Sequence, residues 1–185
     1  MSVFNDIGLT GLTLKLNSIG SPECRSDYRN ALRDFLKPHF NNLSETSQKR
    51  FENNPMRILD TKIPHEIEIL KEAPNISDSL TAEDKAHFEE VCSLLDAMGI
   101  QYLIDSNLVR GLDYYTRTTF EITSTELGAQ DAICGGGRYD GLVERLGGKP
   151  TPGIGFAAGM ERILLALGDD DLSGKTTQVY IVGLG

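Results

Sequence analysis

The stretch LVRGLDYYTRTTFEI, residues 108–122, sets Arg110, Asp113, Tyr114 and Tyr115 around one glycine. A guanidinium makes forked contacts with phosphates and carboxylates and stacks on flat rings. A tyrosine supplies an apolar wall with a polar tip. Two later stretches carry related ingredients. CGGGRYDGL, residues 134–142, runs Gly135, Gly136 and Gly137 into Arg138 and Tyr139, and GIGFAAGMERILLAL, residues 153–167, holds Gly159, Glu161 and Arg162. Consecutive glycines let a backbone come close to a ligand, at an entropic cost. Each stretch alone has a plain structural reading. The glycines could kink a sheet, the tyrosines could be core, and Arg110 could pair with Asp113 or Asp105. Together, all inside residues 108–167, they describe a pocket of arginines, tyrosines and glycine floor. Such a pocket suits a nucleotide beside a small polar molecule.

The elements that must position these residues follow from periodicity. LTLKLNS at 12–18 alternates apolar and polar, as a half-buried strand does. Ser21 can cap a helix with Pro22 at its first position, and Ala31, Leu32, Phe35 and Leu36 form a stripe ending near Pro38. Short helices are expected at 44–52 and 64–71. A stronger one at 82–98 is capped by Thr81, lined by Phe88, Val91, Cys92, Leu95 and Met98, and stopped by Gly99. Strands return at 100–105, 116–123, 130–134 and 153–158, with helices at 139–146 and 159–167. Strand, helical block, more strands: the order predicts an α+β fold, an antiparallel sheet with flanking helices interrupted by a helical insertion. On this reading 1–20 and 100–168 form part of a catalytic core and 21–99 the insertion. Residues 169–178 make a linker, and 179–185 the first strand of a further C-terminal domain.

Composition narrows the function. Eighteen basic against 27 acidic residues give a net charge of −9, the wrong sign for bulk nucleic-acid binding but compatible with one focused contact. No apolar run approaches the roughly 20 residues of a membrane span, and MSVFNDIGL lacks the features of a signal peptide. Cys24, Cys92 and Cys134 stand apart with no metal or disulfide spacing, which makes a reducing cytoplasm the expected location. His39, His65 and His87 read as surface or cap residues, and no metal site is expected. GKTT at 174–177 is not a P-loop, because five residues separate Gly168 from Gly174 and a helix precedes it. GIGFAA matches a dinucleotide fingerprint only loosely and lacks its preceding strand. Glu89 and Glu90 read as a solvated helix face.

LVRGLDYYTRTTFE and GGGRYDGLVERLGG resemble the two signature segments of histidyl-tRNA synthetases, and GFAAGMER resembles the third motif of class II aminoacyl-tRNA synthetases. LKLNSIGSPECRSDYRNAL and NPMRILD are similar to that family's insertion between its second and third motifs. The resemblance implies roles residue by residue. Arg110 matches the arginine that approaches the α-phosphate and the amino-acid carboxylate. Tyr114, Tyr115 and Tyr139 match the histidine pocket, with Gly135, Gly136 and Gly137 as its floor. Arg162 matches the third-motif arginine on ATP, with Gly159 and Glu161 beside it. The implied partners are L-histidine, ATP and tRNA(His), with ATP as a substrate accompanied by Mg2+, no permanently bound cofactor, no membrane, and a homodimer for the whole protein. The first and second motifs find no match here, so the resemblance implies part of a catalytic domain that is inactive alone. Two relatives of the fold compete with a ligase reading. One is the regulatory subunit of ATP phosphoribosyltransferase, which need not carry Arg110 or Arg162; the other is a synthetase-like sensor of uncharged tRNA.

Overall fold

A computed structural model describes residues 1–109, 114–128 and 131–168. Arg110 and Asp113, the expected linker 169–178 and the expected strand 179–185 lie outside the described residues. Five strands form one sheet: Leu12–Ser18 (β1), Leu103–Ile104 (β2), Thr116–Ser124 (β3), Ala132–Arg138 (β4) and Ile154–Ala158 (β5), in the order β2-β1-β3-β4-β5. The pairs β1/β3, β3/β4 and β4/β5 are antiparallel. Only the short β2 runs parallel to β1, through Lys15↔Leu103 and Leu16↔Ile104. A parallel neighbour needs a long crossover, and the helical excursion between β1 and β2 supplies it.

Three expected boundaries move. The strand expected at 130–134 runs from 132 to 138, straight through the glycine triplet. Glycine has poor strand propensity, but β3 and β5 pair with it on both sides, and that context overrides the preference. The strand expected at 100–105 shrinks to two residues, both exposed, with β1 as their one neighbour among the described residues. The helix expected at 139–146 is one turn, Leu142–Arg145 (α6), since Tyr139 and Asp140 are committed to bonds with Gly153 and Thr116.

The helices are Ser2–Asp6 (α1), Pro22–Leu36 (α2), Glu45–Asn53 (α3), Pro64–Leu70 (α4), Ala82–Ala97 (α5) and Met160–Leu167 (α7). Ser21 caps α2 by accepting from Cys24 N–H, with Pro22 at the first position. Its buried stripe is Cys24, Tyr28, Leu32 and Leu36, one residue every four, which leaves Ala31 exposed. Full burial of Leu32 and Leu36 contributes about 1.5–3 kcal/mol each. Together with Ile19, Leu43, Met56, Ile58, Leu59, Ile76 and Tyr115, three of these residues (Tyr28, Leu32 and Leu36) make one core. Burial, with the Asp78 charge behind it, pushes the Tyr28 hydroxyl up to about 12, and the group donates to Pro74 O at 3.0 Å.

A second core lies on the sheet face of Leu14, Leu16, Ile122 and Cys134, closed by Phe4 of α1, Phe88 and Leu95 of α5, and Ile163, Ala166 and Leu167 of α7. The helices of 21–99 therefore divide between the two cores. The expected α5 stripe is partly right: Phe88 and Leu95 pack, whereas Met98, beyond the last turn, is 71% exposed. Glu66 of α4 is fully buried yet fully bonded. It accepts from Ser44 N–H (2.7 Å), Ser47 Oγ (2.9 Å) and Thr61 Oγ1. Burial works against its ionised form, but those hydrogen bonds outweigh burial and hold its pKa below the ordinary value. No helix of the described residues is long and apolar enough to cross a membrane.

Candidate active site

The end of β4 turns Tyr139 back towards Tyr114 and Tyr115, just ahead of β3, and the three rings meet. Tyr114 and Tyr115 have ring centroids 4.7 Å apart, tilted by 44°. Tyr139 stands edge-on to both, at 6.0 Å from Tyr114 and 6.4 Å from Tyr115. Tyr115 is 5% exposed and belongs to the first core, while Tyr114 and Tyr139 are half-buried against it. Offset and edge-on rings of this kind hold one another in place.

Glycine makes the space for these rings. Side chains alternate along a strand, and β4 pairs Gly135 with Glu121, Gly136 with Phe120 and Gly137 with Thr119. Gly135 and Gly137 therefore share the face of Lys15, Asn17, Thr119 and Glu121, away from the second core. A Cβ on Gly137 would stand 2.9 Å from Tyr115 Cδ1 and 2.7 Å from Thr118 O. On β5 and just before it, a Cβ on Gly155 would meet Tyr139 Oη at 2.6 Å, and one on Gly153 would meet Tyr139 Cε2 at 2.5 Å. Gly136 points the other way, where a Cβ would run into Phe156 Cβ at 2.7 Å. The floor under the tyrosines is thus Gly137, Gly153 and Gly155, two of them from the 153–167 stretch.

Arg162 lies at the opposite end of β4. Its Nη1 donates to Ala132 O at 2.9 Å, and Gly159 N–H donates to Ile133 O at 2.9 Å. Ala132 and Arg138, beside Tyr139, are the two ends of the seven-residue β4, roughly 20 Å apart. Gly159 caps α7, and a Cβ there would press on Arg162 Cδ at 3.3 Å, so the glycine keeps the arginine's stem close to the strand. Glu161 is exposed in the first turn of α7. The structure brings the tyrosines and Gly137 together, sets Arg162, Gly159 and Glu161 at the far end of the same strand, and does not describe Arg110.

Two groups that position this site carry no role in the sequence reading. Arg117 follows the tyrosines at the start of β3 in the left-handed region, with φ 54°. Its N–H donates to Gly20 O (2.9 Å), its carbonyl accepts from Ile19 N–H (2.7 Å), and its Nε reaches Asp84 Oδ1 at 3.0 Å while Nη2 pairs with Glu83. Asp84, 1% exposed, also accepts from Ser21 N–H (3.2 Å), Cys24 Sγ (3.1 Å) and Thr81 Oγ1 (3.0 Å). Burial alone would raise its pKa; the Cys24, Ser21 and Thr81 hydrogen bonds and the Arg117 charge bring it below the ordinary value. The available signal was Thr81-x-x-Asp84, a capping-box spacing whose acid serves a second purpose.

His87, expected at the surface, is half-buried, with Nε2 3.3 Å from Arg138 Nη1. Burial, and then the charges of Arg117 and Arg138, hold its pKa below the ordinary histidine value. His65 is exposed against Asn42 O, and the His39 ring packs tilted by 44° against Phe35. All three cysteines are free thiols.

The family model described as histidyl-tRNA synthetase matches residues 3–163. A histidine–tRNA ligase of Desulforamulus reducens is 50% identical over 188 aligned residues, covering 100% of this chain and 45% of that protein. Another, from Thermosynechococcus vestitus, is 51% identical over 186 residues, covering 100% and 44%. Among solved structures, apo histidyl-tRNA synthetase from S. aureus superposes with a TM-score of 0.68 at 42% identity, over 90% of this chain and 40% of that one. The chain spans less than half the length of these relatives. It belongs to the histidyl-tRNA synthetase family.

Proposed function

We propose that this chain is part of a histidine–tRNA ligase that activates L-histidine with ATP to histidyl-adenylate and passes the histidyl group to tRNA(His). The observation that carries the reading is the cluster of Tyr114, Tyr115 and Tyr139 over glycine backbone. An imidazole is flat and has two polar ring atoms, so it fits between aromatic walls that carry hydroxyls at their tips. Relatives of about 50% identity named as histidine–tRNA ligases support the ligase over its non-catalytic paralogues.

In this reading Tyr114, Tyr115 and Tyr139 bind and orient histidine, with Gly135 and Gly137 of β4 on the tyrosine face and Gly136 on the opposite one. The family resemblance gives Arg110 the amino-acid carboxylate and the α-phosphate as its partners. The histidine carboxylate attacks the α-phosphorus, a bond to oxygen forms, and pyrophosphate leaves. Negative charge gathers on the phosphoryl oxygens in that transition state, so a preorganised guanidinium stabilises it more than the ground state. Arg162, with Gly159 and Glu161, serves the triphosphate at the far end of β4. Mg2+ is the expected companion of ATP in the whole enzyme. The domain reading goes with this proposal, 1–20 and 100–168 contributing to a catalytic core and 21–99 inserted into it. The free thiols agree with a cytoplasmic enzyme, and a homodimer is the expected assembly of the whole protein.

Pyrophosphate exchange with the complete gene product tests the activity. Exchange that depends on histidine, and on no other amino acid of a full panel, is the expected result. Exchange driven by a different amino acid, or none at all in soluble, folded protein, would refute the ligase reading.

A further inference from the structure

The turn that carries Tyr139 is held by a chain of contacts that begins on the other side of the sheet. Tyr139 N–H donates to Gly153 O at 2.8 Å, and Asp140 Oδ1 accepts from Gly153 N–H at 3.3 Å, so both polar groups of Gly153 are taken by this turn. Asp140 N–H donates to Thr116 Oγ1 at 3.3 Å, which ties the turn to the start of β3. The second carboxylate oxygen, Oδ2, accepts from Arg138 Nε at 2.6 Å. Arg138 in turn sends Nη1 to within 3.3 Å of His87 Nε2 on α5. A guanidinium can only donate, so His87 Nε2 accepts and the ring proton sits on Nδ1, a buried atom with no hydrogen-bond partner among the described residues.

The Arg138–Asp140 pair is about a third exposed on both sides, at 32% and 34%. A pair so wet adds little to stability. Its geometric effect is larger, because the Tyr139 ring has no slack: it lies on the backbone of Gly153 and Gly155 at distances that no Cβ could share. We propose that Asp140 is a positioning residue for the histidine pocket, its carboxylate oriented by Arg138 and His87 so that the Gly153 turn holds Tyr139 at the angle an imidazole requires. This inference rests on the histidine-pocket reading above.

The test is steady-state pyrophosphate exchange by the complete gene product and its Asp140→Ala and Asp140→Asn variants. KM for histidine should rise about tenfold in Asp140→Ala, the scale of one lost hydrogen bond, while KM for ATP stays within about twofold. Asp140→Asn keeps an acceptor for Gly153 N–H and loses the charge facing Arg138, so its KM for histidine should fall between the two. A parallel rise in both constants, or an unchanged KM for histidine, overturns the proposal. If Asp140→Ala fails to fold, the near-isosteric Asn variant carries the same test. Wild-type protein without histidine-dependent exchange would instead refute the ligase reading, so the two failures are distinct.

Discussion

Replacing Asp84 by alanine removes a buried carboxylate that ties the helical block, the residues after β1 and the start of β3 together. Four donors lose their acceptor: Ser21 N–H, Cys24 Sγ, Thr81 Oγ1 and Arg117 Nε. Breaking a buried pair by deleting one partner costs about 3–5 kcal/mol. The lower end applies here, because Arg117 keeps Glu83 and is 23% exposed at the side chain, whereas Asp84 itself is 1% exposed. About 3 kcal/mol in a domain of this size lowers the midpoint by about 6–12 °C. Urea unfolding at neutral pH followed by circular dichroism reads the loss directly. The sign with pH is also fixed. The folded pKa of Asp84 is lowered, so its contribution is present above the unfolded value of about 3.9 and is lost as pH falls through the folded one. The gap between wild type and Asp84→Ala should therefore narrow only in strong acid. A loss below about 0.5 kcal/mol at neutral pH, well under the range for a broken buried pair, would refute the argument.

Two alanine substitutions should separate floor from frame. Gly137→Ala drives a Cβ into Thr118 O, which is backbone and cannot yield, so it should cost about 1–3 kcal/mol in urea unfolding. A Cβ on Gly155 meets the Tyr139 side chain, Oη at 2.6 Å and Cε1 at 3.2 Å, and pushes the ring off its seat without touching backbone. Gly155→Ala should therefore cost less stability than Gly137→Ala while KM for histidine rises, and equal stability losses would contradict the geometry. His87 has a lowered pKa, so the unfolded chain binds the extra proton first. Its contribution is present above the unfolded value of about 6.5 and is lost as pH falls through the folded value. The groups around it are Arg117, Arg138, Glu90 and Asp140. Urea midpoints at about pH 7.5 and about pH 5 should differ less in His87→Gln than in wild type, and identical differences would show that His87 is not the group responsible.

Much of this architecture is legible in the residues. The alternation of 12–18, the Ser21-Pro22 start and the Thr81 cap carry local signals, and they stand where those signals put them. The glycine triplet does not, because its conformation is set by β3 and β5, which only the folded sheet brings alongside. Composition and resemblance grouped the tyrosines with the glycine stretch, and Tyr114, Tyr115, Tyr139 and Gly137 do lie together. That Gly136 faces away and Gly153 and Gly155 take part depends on register, which a single chain's pattern leaves open. Asp84, Arg117 and the Arg138–Asp140 pair were invisible for a related reason. A charged residue reads as solvated until its partner, 33 positions away in the case of Asp84 and Arg117, is folded against it.

The selection of histidine by the tyrosine cluster is tested most directly by the Michaelis constants for histidine and for ATP in Tyr115→Phe, measured by pyrophosphate exchange with the complete gene product. Leaving a buried imidazole nitrogen without its partner should raise KM for histidine about tenfold or more, with KM for ATP nearly unchanged. Equal changes in both constants, or none in either, would contradict the assignment of this pocket to histidine.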